Sequence, residues 1–398
     1  MRSTRERREK TFESPASVNL NSKSDGTGTR PSTLSNVYSV LWIAVLFGTL
    51  AFFLVTSLLP GPTHSKVERR RLASMPKLSF QGMESGRYQA DLEGYLDDHL
   101  FGRDALLRFN ALASTTLYGA LDQNGFVLKD GHIIKVERRI NEQSLAYAAS
   151  LFERIWKDNL EGTDCRVYFS IIPDKSYFLE KDAYLNMDYQ AFFEEARHIF
   201  DFGTEIPIAD TLALEDYYCT DPHWRQEAIL DQACKLASSM NVTILDEYSM
   251  QTLAKKFTGQ QGLQSAYAHD EDALNVLENP SMKDWTILRY DQNEPRESVL
   301  YDPSKIESMD PYSVFLSGSA GMIEIDNPHA SQDRELVLFA DSYGSSIAPL
   351  LASGYGKTTI IDLRNLPSFR LKNVIEFDDQ DVLFLYSTSI LNASSTLK

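Results

Sequence analysis

Twenty-three consecutive residues, Val37 to Leu59, carry no charged side chain, and any fold of this chain must keep them away from water. As an α-helix with a rise of 1.5 Å per residue, the run would be about 34 Å long, which spans a hydrocarbon core of about 30 Å. The apolar region of a cleavable secretory signal is shorter, at roughly 7–15 residues. We therefore predict an uncleaved transmembrane signal anchor at residues 37–59, with a buried core helix as the alternative.

Basic side chains lie on both sides of this run and favour opposite orientations. They precede it at Arg2, Arg5, Arg7, Arg8 and Lys10, and they follow it at Lys66, Arg69, Arg70 and Arg71. By the positive-inside rule, the first group indicates that residues 1–36 form a cytoplasmic tail, which its Ser, Thr, Asn and Gly content predicts to be disordered. Because a long domain crosses a membrane largely regardless of charge, we predict a single-pass cell-membrane protein with its large domain extracytoplasmic.

The charge of the remaining chain limits what it can bind. Of the 39 basic and 56 acidic side chains, 27 and 51 fall in residues 78–398, which gives that part a net formal charge of −24. Such a surface repels phosphate backbones, so nucleic acid is not expected as a partner. Polyanionic substrates are disfavoured for the same reason, whereas neutral or cationic partners remain open.

Residues 60–140 are predicted to form a juxtamembrane linker followed by a helical and hairpin region. A helical pattern runs over residues 86–118 and is interrupted at 101–103. Further on, Asn124-Gly125 and Asp130-Gly131 flank a short apolar run, and a second apolar run follows. Two such runs separated by Asp-Gly are a signal for a β-hairpin.

From residue 141 to 398 the pattern alternates between helices and strands. Apolar periodicity predicts a helix at 145–156, strands at 167–172, 336–340, 358–361 and 382–386, and helices at 345–352 and 366–374. Strands joined by helices through short loops are typical of a parallel sheet with helices on both faces, so we predict an α/β fold. Residues 244–335 show no clean periodicity and are predicted to be an insertion.

Ser342 lies where a site is expected in such a fold. Ligand sites of open parallel sheets form at the carboxyl ends of strands, and the predicted strand 336–340 turns at Asp341-Ser342-Tyr343-Gly344 into a predicted helix. A hydroxyl at this turn stands near backbone N–H groups that can hold an oxyanion. The alternative is that Ser342 only caps the helix, as Ser commonly does.

A second candidate segment contains Asp221 and His223. They are two residues apart in a Pro-containing, extended stretch, and alternate residues of an extended chain point the same way. The carboxylate can therefore orient the imidazole, which is the base and orienting half of a catalytic triad. The neighbouring Trp224 can shield the pair from water. The alternative is a surface loop in which the two residues occur together by chance.

Together the two segments resemble a known family. Thr220-Asp221-Pro222-His223-Trp224 resembles the T-D-x-H-W element of the DHHW proteins, which are relatives of the alginate O-acetyltransferase-like, SGNH-hydrolase-like proteins. Other short motifs are similar to that family's and occur in the same order: Arg70-Arg71-Leu72-Ala73 with Pro76-Lys77-Leu78, Tyr95 to Asp104, Ile172-Pro173-Asp174-Lys175, Asp341-Ser342-Tyr343 and Asp362-Leu363-Arg364. The resemblance covers about residues 67–390 and departs from the name-giving motif at Pro222, where that motif has His.

The resemblance implies a fold and a set of site residues. The fold is an SGNH-hydrolase-like three-layer α/β domain, here preceded by one transmembrane helix. In the implied triad Ser342 is the nucleophile, His223 the base and Asp221 the residue that orients it, with backbone N–H groups near Ser342 and Tyr343 stabilising the oxyanion. Arg364 would hold the glycan or the acyl donor, or would instead pair with a neighbouring carboxylate, and Lys175 is open to the same two interpretations.

The implied activity is that of a membrane-anchored, extracytoplasmic O-acetyltransferase that acts on a cell-surface polysaccharide through an acetyl-serine intermediate. Because one span cannot carry acyl groups across a membrane, a multi-span membrane acyltransferase is expected as the acetyl-donating partner, and no cofactor is expected. A carbohydrate acetyl esterase is the first alternative, since the two enzymes differ only in whether a sugar hydroxyl or water accepts the acetyl group. A non-catalytic glycan-binding or assembly protein on the same fold is the second.

The three cysteines, Cys165, Cys219 and Cys234, form no CxxC pair and have no His at zinc-site spacing, so no metal site is predicted. A disulfide between Cys219 and Cys234 and three unpaired thiols are both compatible with the sequence.

Overall fold

The structure is a computed structural model that describes residues 33–59, 61–65, 70–118, 125–179, 186–265, 267, 270–291, 294–330 and 332–398. It divides the chain into two units, Met1–Leu59 and Pro60–Lys398. Most of the predicted tail, residues 1–32, lies outside the described residues, and helix α1 spans Thr33–Ser57. Within α1, Val37–Ser57 is long and apolar enough to cross a membrane, and its most apolar stretch has no buried residue. The first unit is therefore consistent with a single-pass anchor.

The second unit begins with the predicted helical and hairpin region. Its elements are β1 (His64–Ser65), β2 (Arg70–Arg71), α2 (Phe80–Glu84), α3 (Arg87–Asp98), α4 (Arg103–Tyr118), β3 (Phe126–Lys129) and β4 (His132–Lys135). The helical stretch is broken where the sequence predicts, at Gly102, whose φ of 70° lies in the left-handed region. The hairpin is also confirmed: β3 and β4 pair antiparallel around Asp130 and Gly131, both with positive φ. Asn124 of the other predicted turn lies outside the described residues.

The remaining elements of the second unit alternate between helices and strands. The helices are α5 (Glu142–Ile155), α6 (Tyr189–Arg197), α7 (Leu230–Ser239), α8 (Gln260–Gln264), α9 (Gly344–Ala352) and α10 (Thr388–Leu391). The strands are β5 (Arg166–Ile172), β6 (Thr204–Glu205), β7 (Ser249–Phe257), β8 (Asp272–Glu278), β9 (Thr286–Tyr290), β10 (Pro295–Glu297), β11 (Met322–Asp326), β12 (Glu335–Ala340), β13 (Lys357–Ile361) and β14 (Asp381–Ser387).

In the described part of the chain, eight strands form one sheet in the order β10-β9-β11-β13-β12-β14-β5-β6. Neighbouring strands from β13 to β6 in that order run parallel. The other three pairings are antiparallel: β11 with β13, β9 with β11, and β10 with β9. The predicted α/β fold with a parallel sheet is therefore confirmed, with three antiparallel strands added at one edge. Because the carboxyl ends of β12, β14 and β5 meet at one edge of the sheet, the residues after these strands are brought together.

Both faces of the sheet are buried, which gives the domain three layers. Along β12, Leu336 and Leu338 pack in one apolar cluster and Val337 and Phe339 in another, as the two-residue alternation of a strand requires. The first cluster includes buried side chains of α7 and α9, and the second includes those of α5 and α6. Such burial on both faces explains why the central strands are continuous apolar runs.

Residues 244–335, for which the sequence predicts only an insertion, supply two kinds of structure. Strands β7 and β8 form a separate antiparallel pair with two register shifts, and β9, β10 and β11 extend the central sheet. The segment is therefore built into the domain at its antiparallel edge.

The helix predicted at 366–374 is present as a short 3₁₀ helix, Ser368–Asn373, rather than as a longer α-helix. Pro367 precedes it, and Phe369 is 79 % exposed, so the segment has no continuous apolar face whose burial would stabilise a longer α-helix.

Candidate active site

Ser342 lies directly after the carboxyl end of β12, in the turn that leads into α9. The carboxylate of Asp341 shapes this turn: it accepts hydrogen bonds from the amide of Tyr343 at 2.9 Å and from the amide and hydroxyl of Ser387 at 2.8 and 2.6 Å. Gly344 is required next, because a Cβ there would lie 2.4 Å from the Cβ of Ala340. The turn therefore presents the half-buried Ser342 in a fixed position at the sheet edge.

The structure brings together the three residues that the sequence predicts as a triad. Nε2 of His223 lies 2.8 Å from Oγ of Ser342, although the two residues are 119 positions apart. Nδ1 of the same ring lies 2.6 Å from Oδ1 of Asp221. The side chain of His223 is 11 % exposed and that of Asp221 is 2 % exposed, so the row of hydrogen bonds runs from the interior to the surface.

The carboxylate of Asp221 is held in its ionised form. Burial alone would raise the pKa of this carboxyl, but the adjacent His223 ring and the hydrogen bonds that Asp221 accepts outweigh it, so the pKa lies below its usual value. These bonds include the amide of Gln260 to Oδ2 at 3.1 Å and the amide of His223 to Oδ1 at 3.2 Å. An ionised Asp221 keeps the proton of His223 on Nδ1 and leaves Nε2 as an acceptor for the hydroxyl of Ser342.

A network behind Asp221 fixes the backbone of its segment. The carboxylate of Asp272 accepts hydrogen bonds from the amides of Cys219 and Thr220, each at 2.8 Å, and from the hydroxyl of Thr220 at 2.5 Å. The amide of Gly259 donates to that hydroxyl at 2.8 Å. Gly259 packs so closely that a Cβ would lie 2.3 Å from the Cβ of Asp221. The segment 244–335 thus holds the acid of the candidate triad.

Aromatic residues enclose the imidazole of His223. The ring of Tyr312 is stacked on it with a centroid distance of 3.8 Å and an interplanar angle of 5°. The hydroxyl of Tyr312 and the indole Nε1 of Trp224 both donate to Oγ of Ser346, at 2.8 and 2.9 Å. A stacked ring of this kind orients the imidazole.

A cleft of about 340 Å³ is lined in part by Pro222 and Tyr343, which adjoin His223 and Ser342 in the chain. Polar side chains line much of the rest: Lys135, Glu137, Asp174, Lys175, Gln260, Gln261, Gln264, Ser389 and Asn392. Amide and hydroxyl groups of this kind form hydrogen bonds with hydroxyl-rich ligands.

Tyr343 and Arg364, the two other predicted site residues, make structural contacts here. The amide of Tyr343, expected near an oxyanion, donates to Asp341, and its hydroxyl donates to the carbonyl of Pro222 at 2.6 Å. Tyr343 therefore joins the turn of the candidate nucleophile to the segment of the candidate base. Arg364 forms a two-bond ion pair with Asp362, Nε to Oδ1 at 2.9 Å and Nη2 to Oδ2 at 2.7 Å, as in the alternative interpretation of the sequence.

Four residues of the site, Gly259, Gln260, Asp272 and Tyr312, are not predicted by the sequence. They lie in the segment without periodicity, where their proximity to Asp221 depends on pairing that the pattern does not contain. The one local signal is Gly259 with Gly262, since glycine commonly lies where the backbone approaches a neighbour closely. The three cysteines are free thiols.

No family model matches the chain, and no curated protein matches its sequence. Among solved structures, a DHHW family protein from Eubacterium siraeum aligns over 68% of this chain and 93% of its own, with a TM-score of 0.56 and 20% identity. The chain has the fold of a DHHW family protein. Bacillus cereus PatB1 aligns over 67% of this chain and 96% of its own, with a TM-score of 0.52 and 16% identity.

The O-acetyltransferase domain of Pseudomonas putida AlgJ also aligns, over 67% of this chain, but its TM-score of 0.38 is too low to support an argument. The expected resemblance is therefore confirmed for the fold, an SGNH-like α/β domain preceded by one apolar helix.

Proposed function

We propose that this protein is a membrane-anchored, extracytoplasmic O-acetyltransferase that moves an acetyl group to a hydroxyl of a cell-surface polysaccharide. The single observation that carries the proposal is the row Asp221–His223–Ser342, with heavy-atom distances of 2.6 and 2.8 Å. A nucleophile, a base and an orienting carboxylate within hydrogen-bond reach are what acyl transfer requires. The shared fold with the DHHW protein and PatB1 agrees with this chemistry.

In the first half-reaction, Oγ of Ser342 attacks the carbonyl carbon of an acetyl ester while Nε2 of His223 takes the hydroxyl proton. The tetrahedral intermediate collapses, the bond to the leaving oxygen breaks, and that oxygen takes the proton from Nε2. The products are acetyl-Ser342 and the free alcohol of the donor. The stacked Tyr312 and the ionised Asp221 stabilise the imidazolium that forms between these two proton transfers.

In the second half-reaction, a sugar hydroxyl bound in the cleft attacks the acetyl carbonyl carbon and gives its proton to Nε2. Collapse of this second intermediate releases the O-acetylated sugar, and the proton returns to Ser342. For the oxyanion, the amide of Ser342 is the better donor than that of Tyr343: Tyr343 already donates to Asp341, whereas the amide of Ser342 has no hydrogen bond within the described part of the chain.

The acceptor is proposed to be a neutral polysaccharide. The net charge of −24 over residues 78–398 repels polyanions, and the cleft offers amide and hydroxyl groups suited to sugar hydroxyls. The apolar helix Val37–Ser57 supports anchoring in the cell membrane, close to a cell-surface polysaccharide. Because one span cannot carry acetyl groups across a bilayer, a multi-span membrane acyltransferase is the proposed donor partner.

The first experiment gives the purified full-length protein in detergent an activated acetyl ester. We expect release of the leaving group and an increase in intact mass by one acetyl group on Ser342. Ser342→Ala should lose both, whereas Ser345→Ala, at a serine in the first turn of α9, should keep both. Equal background rates in the wild type and Ser342→Ala would refute the proposal and favour the non-catalytic glycan-binding or assembly protein.

The second experiment separates transfer from hydrolysis. Neutral oligosaccharides added to the acetylated enzyme should discharge it faster than water does and should appear as O-acetylated products. A discharge rate that is independent of the sugar, with acetate as the product, would identify the protein as an esterase.

A further inference from the structure

Lys175 is a buried lysine that the proposed mechanism does not use. It follows β5 at the carboxyl edge of the sheet and is 2 % exposed. Its Nζ donates to the carbonyl of Tyr218 at 3.0 Å and to that of Cys219 at 3.3 Å. Lysine is almost never fully buried without compensating partners, so this placement calls for a specific role.

The two carbonyls belong to the segment that carries Asp221 and His223. The peptide between Cys219 and Thr220 is held at both ends, because its oxygen accepts from Lys175 and its N–H donates to Asp272 at 2.8 Å. A positive and a negative side chain thus fix the plane of one peptide, two residues before the acid of the row. A small rotation of this peptide would move the carboxylate relative to the imidazole.

The charge of Lys175 is finely balanced. Burial lowers the pKa of its ammonium to about 7, against the attraction of Asp221 and Asp272, which raises it. The thiol of Cys219 and the imidazole of His132 on β4 also face it. Loss of the proton turns a charge-assisted hydrogen bond into a neutral one, of roughly half the strength.

Building on the proposed acetyl transfer, we propose that Lys175 is a positioning residue whose protonated form fixes the segment bearing Asp221 and His223, so that acylation of Ser342 slows as Lys175 loses its proton. The alkaline limb of the rate profile then belongs to Lys175. Because Lys175 acts through the backbone of the row, its loss lowers kcat rather than raising KM for a small ester.

The test measures the single-turnover rate of Ser342 acetylation by intact mass, from about pH 5 to about pH 9, for full-length protein in detergent. Lys175→Met should lower the plateau rate about 10- to 100-fold and abolish the alkaline limb. Lys175→Arg keeps its charge at every pH in this range, so its rate should stay high where the wild-type rate falls. Lys129→Met is the matched control, since Lys129 also donates to a carbonyl, that of Phe178 at 3.2 Å, and should keep the wild-type profile.

Thermal unfolding separates positioning from a merely structural role. A Lys175→Met protein that loses thermal stability but retains the wild-type alkaline limb would overturn the inference, as would a Lys175→Arg profile identical to that of the wild type. If Ser342→Ala and the wild type are equally inactive, the proposed function itself fails. If Ser342→Ala is inactive but the Lys175 variants have the rate profile of the wild type, the proposed function stands and the inference about Lys175 fails.

Discussion

Replacement of Gly259 by alanine should disable the row of Asp221, His223 and Ser342 without substituting any of these three residues. Gly259 precedes α8 with φ −75° and ψ 178°, a conformation open to alanine, so the substitution introduces no backbone strain. The obstacle is space, because the new Cβ would lie 2.3 Å from the Cβ of Asp221 and 2.6 Å from its Oδ2.

The size of the effect follows from these distances. Ordinary contact begins at 3.4 Å, so the two Cβ atoms must separate by about 1 Å. Oδ1 of Asp221 is 2.6 Å from Nδ1 of His223, and the same movement would stretch or misalign that bond. Misplacement by about 1 Å costs about 100-fold in rate, or about 2.7 kcal/mol of activation free energy. We expect kcat/KM for an activated acetyl ester to fall about 100-fold in Gly259→Ala.

The assay compares ester turnover with thermal unfolding of the same preparations, because overpacking also costs about 1–3 kcal/mol of stability. Gly356→Ala is the matched control: its nearest atom would be 3.7 Å from the new Cβ, so activity and stability should both be retained. A folded Gly259→Ala protein with kcat/KM within about twofold of the wild type would refute the argument that this close contact positions Asp221.

Three further predictions concern charge. Asp221→Asn should lower kcat about 10³- to 10⁴-fold in ester turnover with little change in fold, because an amide at this position stabilises the wrong tautomer of the base; near-wild-type turnover would contradict this. Asp381→Asn should lower the free energy of unfolding in urea by about 2–4 kcal/mol, because Asp381 is fully buried and pairs with Arg166 and Arg334. Activity per folded molecule should stay unchanged, because Asp381 lies at the end of β14 opposite to the site. Lost activity with intact stability would be the contrary result. The folded-state pKa of Lys175 lies below its unfolded value of 10.5, so the unfolded chain binds more protons than the folded protein between pH 7 and 10.5. The free energy of unfolding of the wild type, relative to that of Lys175→Met, should therefore rise with pH over this window. A difference between the two proteins that does not change with pH in urea titrations would exclude the lowered pKa.

The sequence predicts the central elements because their patterns are local. Strands β12 and β14 are apolar runs bounded by turn residues, and α5 has apolar residues at helical spacing, so each can be recognised without knowing its neighbours. The antiparallel strands β9 to β11 are not recognisable in this way. They are short and are stabilised by pairing with one another and, through β11, with β13, rather than by their own pattern.

The candidate site, too, is predictable from the sequence only where its pattern is local. Asp221 and His223 are two residues apart, and Ser342 is marked by a strand-to-helix turn, so the residue types are visible in the chain. Their contact across 119 residues is produced by the parallel sheet, which brings separate loops to one edge. Tyr343 shows the limit of local reasoning, since its amide is near Ser342 in sequence yet donates to Asp341.

The sequence by itself determined the apolar helix, the acidic character of residues 78–398, the α/β class and the residue types of the candidate triad. These properties depend on composition and short-range periodicity. Only the tertiary structure decided that Gly259, Gln260, Asp272 and Tyr312 surround the triad, and that buried Lys175 holds its backbone. Burial, close contact and hydrogen-bond partners arise between segments far apart in the chain, and a one-dimensional pattern contains no record of those distances.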